Sequence, residues 1–485
     1  MPLRPLAAAD QNYWLSQFVF TRALGLVYLI AFLCALNQAR PLIGEHGLLP
    51  FTTWVKEVPF RSTPSLFYLF PTDKALTAAA WGGIAGSALI VSGIALRYSS
   101  WLAALTWLVV WALYLSFVNI GQTFYGFGWE SLLLEAGFFA AFLGSDRIAP
   151  PVIGTWMFRW LEFRLMFGAG LIKLRGDECW RDLTCLNYHY QTQPMPNPLS
   201  WYFHWAPQWT HTAGVLFNHF SELIVPFGYF LPQPVASIAA IITIVFQGMI
   251  MASGNLSWLN FLTIVLAVPL IDGRWLAALI PIRAPALAPP GNIHNGLLVV
   301  LAIVVAILSL RPIRNMLSPR QAMNASFNPF HLVGTYGAFG SVTRQRFEVI
   351  IEGSRDGRQW PAYEFKGKPG DPSRRPPQIA PYHLRLDWLM WFAAFSTYSE
   401  YPWFVHLTEK LLQGDPATVG LLASNPFGDQ PPRYVRAQLY EYTFTTPEEH
   451  RRNKMWWNRR FVGPYFPPVS LDDPGYARVL RSQGW

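Results

Sequence analysis

Three ionisable residues stand inside an apolar run: Glu162, Arg164 and Lys173 in WLEFRLMFGAGLIKLR, residues 160–175. A charge at bilayer depth costs about 2.5–3.5 kcal/mol on insertion scales, so such groups face partners or water. The expected compensation is Glu162 against Arg164 or against a neighbouring helix, with Lys173 at the exit. Lys173 is the strongest single candidate for chemistry, because a desolvated lysine sheds its proton and serves as a base. Against that stand Asp177, Glu178 and Asp182 just downstream. The bland alternative is a lysine whose stem lies in lipid and whose head reaches the interface. Glu130 and Glu135 share a second apolar stretch; five apart, they lie on different helix faces and make no paired acid site alone.

Histidines and cysteines add weaker signals. His204, His211, His219 and Glu222 are metal-type residues, and His219 and Glu222 are three apart on one helical face. A metal site needs several converging ligands, which this spacing does not specify, so no metal is assigned. Cys179 and Cys185 flank CWRDLTC, a spacing compatible with a small disulfide loop in an oxidising compartment. Cys34 sits in an apolar run and is read as inert. No P-loop, GxGxxG, HExxH or GxSxG motif is present.

The elements that position these residues are membrane helices. Hydrophobic residues make up 52% of the 485 and charged residues only 13%, about half the share of a soluble domain. The chain carries 22 Trp, 20 Tyr and 35 Phe, as expected where rings sit at both membrane faces. The net charge of +9 comes without a basic stripe interleaved with aromatics, so nucleic-acid binding is discounted. MPLRPLAAADQNYW lacks a cleavage pattern, and the first apolar run is expected to stay as an anchor.

Spanning candidates are 18–36, 75–96, 101–118, 131–143, 156–174, 211–230, 234–253, 256–270 and 295–310, with 275–280 a short apolar piece. At about 20 residues per span this predicts roughly seven to nine membrane helices. The loop 175–208 is too rich in Pro, Asn, Trp and charge to cross lipid. From Ser318 the composition changes. GAFGSVTRQRFEVIIEGSRDGRQW alternates and then turns at RDG, a hairpin signal, and YVRAQLYEYTF alternates again. The fold class read is a mainly α polytopic bundle over 1–317, followed by a soluble, β-rich, sandwich-like domain over 318–485 with helix at 382–395 and 405–412. The patch MWWNRRF, with Trp456, Trp457, Arg459 and Arg460, suits an interface or a packed corner.

Long ordered stretches resemble the lipase maturation factor family. They are RALGLVYLIAFLCALNQARPLIGEHGLLP, LIKLRGDECWRDLTCLNYHYQTQPMPNP, NHFSELIVPF, SGNLSWLNFLT, GTYGAFGSVTRQRFEVIIEG, YEFKGKPGDPSRRPPQIAPYHLRLDWLMWFAAF and NPFGDQPPRYVRAQLYEY. Gly334 departs from the family, where Asn leads that motif. The resemblance implies a multi-pass membrane protein that helps secreted lipases reach their active fold. Asp371, Pro372, Arg374, Arg375, Asp387, Trp388 and Trp391 carry over as signature residues rather than as contacts. The implied partners are membrane lipid and client lipases or other secreted proteins, with no cofactor. A second, shorter likeness joins GAGLIKL to the membrane domain of vitamin K-dependent γ-carboxylases, and would put Lys173 where their catalytic base lies.

Two functions follow. One is a non-enzymatic folding factor with a client surface on the β-rich domain. The other is a membrane enzyme, or a lipid- or quinone-binding protein, needing a cavity at Lys173 lined by apolar residues and a few polar groups. The family places the C-terminal domain in the lumen of the endoplasmic reticulum; in a bacterial member, which the Arg, Ala and Pro content suggests, the membrane is the cytoplasmic one. Arg311, Arg314 and Arg320 favour a cytoplasmic tail by the positive-inside rule, but whole domains translocate largely regardless of charge.

Overall fold

A computed structural model describes residues 11–482. Residues 1–10, on which the leader reading partly rests, and 483–485 lie outside the described residues. Helix α1 (Trp14–Ile43) contains no helix breaker before Pro41 in its last turn, which explains its 30 residues. Helix α2 (Asp73–Val91) starts on Thr72, whose side chain accepts from the Ala75 amide, with Asp73 in the first turn. Helix α3 (Ser100–Ile120) starts on a Ser99 cap. Then come α4 (Gly128–Ala140), α5 (Val152–Arg175), α6 (Leu186–Thr192) and α7 (Gln208–His219). Three more helices of the bundle region are α8 (Val235–Ser253), α9 (Leu259–Ala267) and α10 (Asn292–Leu317), and a π turn over Phe220–Ile224 extends α7.

Five of these, α1, α2, α3, α8 and α10, are long and apolar enough to cross a membrane. The expected seven to nine is therefore not what length and apolarity give. Helices α4 and α9 are too short, at 13 and 9 residues, and α5 carries buried charge. These inner helices bury on the α1–α3 layer rather than facing outward. Tyr28 of α1 donates to the Leu133 carbonyl of α4 (2.9 Å) and packs edge-on against Trp107 and Tyr114 of α3. Gly137 of α4 lies so close to the Tyr28 hydroxyl that a Cβ there would collide with it.

The C-terminal region holds one antiparallel sheet among the described residues, in the order β1 (Arg346–Ser354), β2 (Tyr434–Phe444), β3 (Trp457–Val469). Val349 faces Leu439, and Leu439 faces Gly463. The expected sandwich is not found among the described residues, where helix rather than a second sheet packs on this one. Between β1 and β2 the chain forms α11 (Arg385–Ala393) and α12 (Pro402–Gln413), and Phe404 of α12 packs on Tyr465 and Phe466 of β3. On the other face, Trp201 of the bundle loop joins Ile350, Tyr442, Phe444 and Trp457. The RDG turn forms, with Gly357 at φ +73° and Asp356 accepting from the Arg358 and Gln359 amides. Its return limb pairs only at Glu352–Ala362, beside Pro361, which has no N–H to give. The partner of β1 is instead β2, far along the chain. One of the hydrophobic core clusters runs from Phe20 in α1 to Tyr476 beyond β3, so the bundle and the C-terminal region pack against each other.

Candidate functional site

Most of the buried charged groups of α4 and α5 are paired across elements. Helix α4 is their hub. Glu130 accepts from Arg385 of α11 (2.7 Å) and from the Tyr114 hydroxyl, while Arg385 also donates to the Phe124 carbonyl (2.7 Å) and lies 3.5 Å from the centre of the Tyr125 ring. Glu135, on another face, takes both terminal nitrogens of Arg164, the Tyr336 hydroxyl (2.6 Å) and the Gly334 amide (3.2 Å). Arg164 also donates to the Gly334 carbonyl (2.7 Å). The expected pairing of Glu162 with Arg164 does not occur. Two positions apart on a helix, the two side chains diverge, and both Glu162 oxygens are buried without a hydrogen-bond partner among the described residues.

Lys173 does not reach an interface. It is 4% exposed, and its ammonium donates to Glu222 Oε1 (2.6 Å) and Asn218 Oδ1 (2.8 Å). Asn218 Nδ2 closes the triad on Glu222 Oε2 (3.1 Å). The π turn after α7 brings Asn218 and Glu222 to bear on one lysine; such turns are rare and cluster at functional sites. The downstream acids turn elsewhere: Asp177 is held by Arg344 (2.8 and 3.0 Å), whose guanidinium keeps its carboxyl well below the usual range.

The triad walls a cavity of about 470 Å³. Its lining is mostly apolar, including Met166, Ile172 and Phe246, with Ser253, Thr263, Asn324 and Ser341 scattered through it and two groupings of larger polar side chains. One is Lys173, Asn218, Glu222 and His189. Burial, with the charge of Lys173 adding, pushes the His189 imidazole down to about 4. The other is Gln247 and Asn260, joined at 2.5 Å, with Gln247 also donating to the Met166 sulfur (3.3 Å).

Cys179 and Cys185 form a disulfide, with Cα atoms 4.7 Å apart, in a cluster with Trp180, Val215 and Val342. The histidines weighed as ligands disperse. His211 binds Asn187 and the Phe203 carbonyl, His219 binds the Trp180 carbonyl, and His204 packs on Trp205. Among the described residues, no three His, Cys, Asp or Glu are grouped to hold a metal ion. The signature residues mostly build the C-terminal region. Asp371 caps Ser373, the Pro372 carbonyl accepts from Trp456 and Trp457, and Arg374 donates to the carbonyls of Phe365 and Lys368 (both 2.5 Å). Asp387 accepts the Gly367 and Lys368 amides, and Arg375 reaches the Pro198 carbonyl of the bundle loop (3.1 Å). Trp388 and Trp391 line the cavity, and Trp391 donates to the Thr192 carbonyl (3.0 Å).

A family model described as the lipase maturation factor transmembrane domain matches residues 15–278. The chain belongs to the lipase maturation factor family. The model of that family's C-terminal domain matches residues 332–467. Lipase maturation factor 1 of Bos taurus is 44% identical over 97% of this chain and 91% of its own length. The Homo sapiens protein of that name is 42% identical over 98% and 91%. Lipase maturation factor 2 of Homo sapiens is 29% identical over 96% and 84%. No solved structure matches the chain.

The stretches that carry the family resemblance, scattered from residue 171 to 395, meet at the cavity. LIKLRGDECW supplies Lys173, NHFSELI supplies Asn218 and Glu222, SGNLSWLNFLT supplies Asn260, GTYGAFGS supplies Tyr336, and LDWLMWF supplies Trp388 and Trp391. Sequence reasoning missed Asn218, His189, Gln247 and Asn260 as a set. The available signal was local: Asn218 and Glu222, at i and i+4, are polar residues in an otherwise apolar stretch.

Proposed function

We propose that this chain is a membrane-embedded maturation factor for lipases, acting as a folding aid rather than by bond chemistry. The observation that carries the reading is the extent of the likeness to lipase maturation factor 1, which takes in both the bundle and the C-terminal region. The inner helices α4, α5, α7 and α9 enter the membrane as a protected layer behind the five apolar ones, with Glu130, Glu135, Arg164, Lys173 and Glu222 neutralised in the pairs above. That arrangement reconciles a higher span number with the composition.

The disulfide bears on sidedness. Disulfides persist in oxidising compartments. The Cys179–Cys185 loop is tied to the C-terminal region through Asp177 and Arg344 and through Val342. Helices α5 and α10 run the same way, since Trp160 meets Ser309 near one end and Arg175 meets Gln321 at the other. The C-terminal region therefore belongs on the oxidising side: the endoplasmic reticulum lumen in a eukaryote, the outer face of the cytoplasmic membrane in a bacterium. This favours the family orientation over the one read from Arg311, Arg314 and Arg320.

The client-facing surface is the outer edge of β3, where Phe461 (54% exposed) and Val462 (45%) stand beside Arg459 and Arg460. An unpaired strand edge with apolar side chains suits extended, unfinished chains. A photocrosslinker at position 461 should capture newly made lipase during its synthesis; capture of lipid alone, with the protein correctly inserted, contradicts the reading. The second reading, Lys173 as a base, is favoured by the cavity beside it but requires the ion pair with Glu222 to break first.

A further inference from the structure

The cavity beside Lys173 has three properties that together specify a ligand. Its volume falls within the roughly 300–1,000 Å³ of small-molecule sites. Its rim includes Met249, on the spanning helix α8 and 48% exposed, and Met323, 46% exposed, so it opens at an apolar surface that lipid covers. Among its polar groups, which also include Asn324 and Ser341, the Lys173–Asn218–Glu222–His189 and Gln247–Asn260 groupings form two stations with apolar wall between them. Lys173 stands at the first; Met166, seven residues earlier on α5, marks the second through its contact with Gln247. At 1.5 Å per residue the stations are about 10 Å apart along the helix.

The charge of the first station decides the head group. Lys173 and Glu222 neutralise each other at 2.6 Å, and both are buried. An anionic head would leave an uncompensated negative charge there, and a cationic head an uncompensated positive one, each costing several kcal/mol. An uncharged head with hydroxyl and carbonyl groups disturbs neither. His189, buried and neutral at physiological pH, packs on the rings of Tyr190 and Phe339 and lines the cavity, where its imidazole can exchange a hydrogen bond with such a head.

We propose that this cavity binds an uncharged single-chain amphiphile of the monoacylglycerol class, its head at Lys173, Asn218, Glu222 and His189 and its chain running along Met166 towards Gln247 and Asn260. The ligand enters sideways from the membrane past Met249. The proposal stands on the cavity alone and is independent of what the β3 edge does.

The test uses the full chain in phosphatidylcholine nanodiscs with tritiated 1-monooleoylglycerol, competed with oleate, with lysophosphatidylcholine and with a short-chain ubiquinone. The wild type should show saturable binding, with each competitor at least tenfold weaker than unlabelled monooleoylglycerol. Ala169→Phe, which fills the cavity, should weaken binding at least tenfold. The double variant Lys173→Met/Glu222→Leu removes the polar station without leaving a lone charge and should do the same. Equal or better competition by any of the other three, binding indifferent to both variants, or no saturable binding by monodisperse wild-type protein would each overturn the proposal.

Discussion

At the level of single residues, Glu130, Glu135, Arg164 and Lys173 are each kept in the bundle by a partner from another element. The cost of breaking such a pair is the lone charge left behind, about 3–5 kcal/mol, whereas replacing both partners by apolar side chains is often neutral. Lys173→Met alone should therefore lower the unfolding temperature sharply, by strengthening nothing and orphaning Glu222. Lys173→Met/Glu222→Leu should recover most of the loss; a double variant as unstable as the single one would show that the pair is not what holds α5 to the π turn. Glu162 presents the opposite case. Its carboxyl has no partner among the described residues, and an unsatisfied buried polar group costs about 1–3 kcal/mol. Glu162→Leu should raise thermal stability in detergent by about that amount, and a fall would reveal a role that packing does not explain. The sequence disclosed that Glu130, Glu135, Glu162, Arg164 and Lys173 stand within apolar helical stretches, and all five are buried. It could not disclose their partners, because Arg385 and Gly334 approach from the far end of the chain and only the tertiary fold decides which acid each arginine meets.

At the scale of elements, the joint between the disulfide loop and the C-terminal region is an exposed ion pair with a defined pH response. Arg344 lowers the Asp177 carboxyl in the folded state. Its contribution is thus fully present above the ordinary carboxylate range near pH 4 and is lost as pH falls through the lower folded value. The stability gap between wild type and Arg344→Gln should be constant from pH 5 to 8 and close on acidification; a gap that widens in acid would contradict the assignment. His189 on α6 works over a different window. Its folded value of about 4 lies below the unfolded value near 6.5, so the unfolded chain binds the proton first. Stability should fall from about pH 6.5 to about pH 4, and His189→Phe should flatten that slope in unfolding-temperature scans. Several elements were legible beforehand. YVRAQLYEYTF is β2, and the helices expected over 382–395 and 405–412 occur as α11 and α12. The RDG hairpin was legible only as a turn, because Pro361 stops the return limb and β1 pairs with a strand some eighty residues later, beyond the reach of local alternation.

For the molecule as a whole, the core shared by bundle and C-terminal region means that the two are not a membrane anchor with a detachable domain. Arg385 reaching Glu130, and the Gly334–Tyr336 segment gripping Glu135 and Arg164, fasten the C-terminal region into the helices. This explains why one α-helical layer and one sheet replace the sandwich: the sheet needs no second sheet when a bundle loop and α12 cover its faces. Helices protected inside this body need not be apolar all round, which is what the proposed spans beyond the five apolar helices require. The sidedness argued from the disulfide predicts that Cys179 and Cys185 resist alkylation in intact vesicles until reductant is added, and that a glycosylation acceptor placed after residue 470 is modified in a eukaryotic host. An unmodified acceptor would put the C-terminal region on the reducing side and remove the support for the disulfide. Maturation of lipases is measured most directly as lipase activity per mass of secreted lipase in cells stripped of their own maturation factor. Expression of this chain should restore that ratio towards the level of unmodified cells; a ratio that stays at the stripped-cell baseline while the chain is folded and membrane-inserted would contradict it.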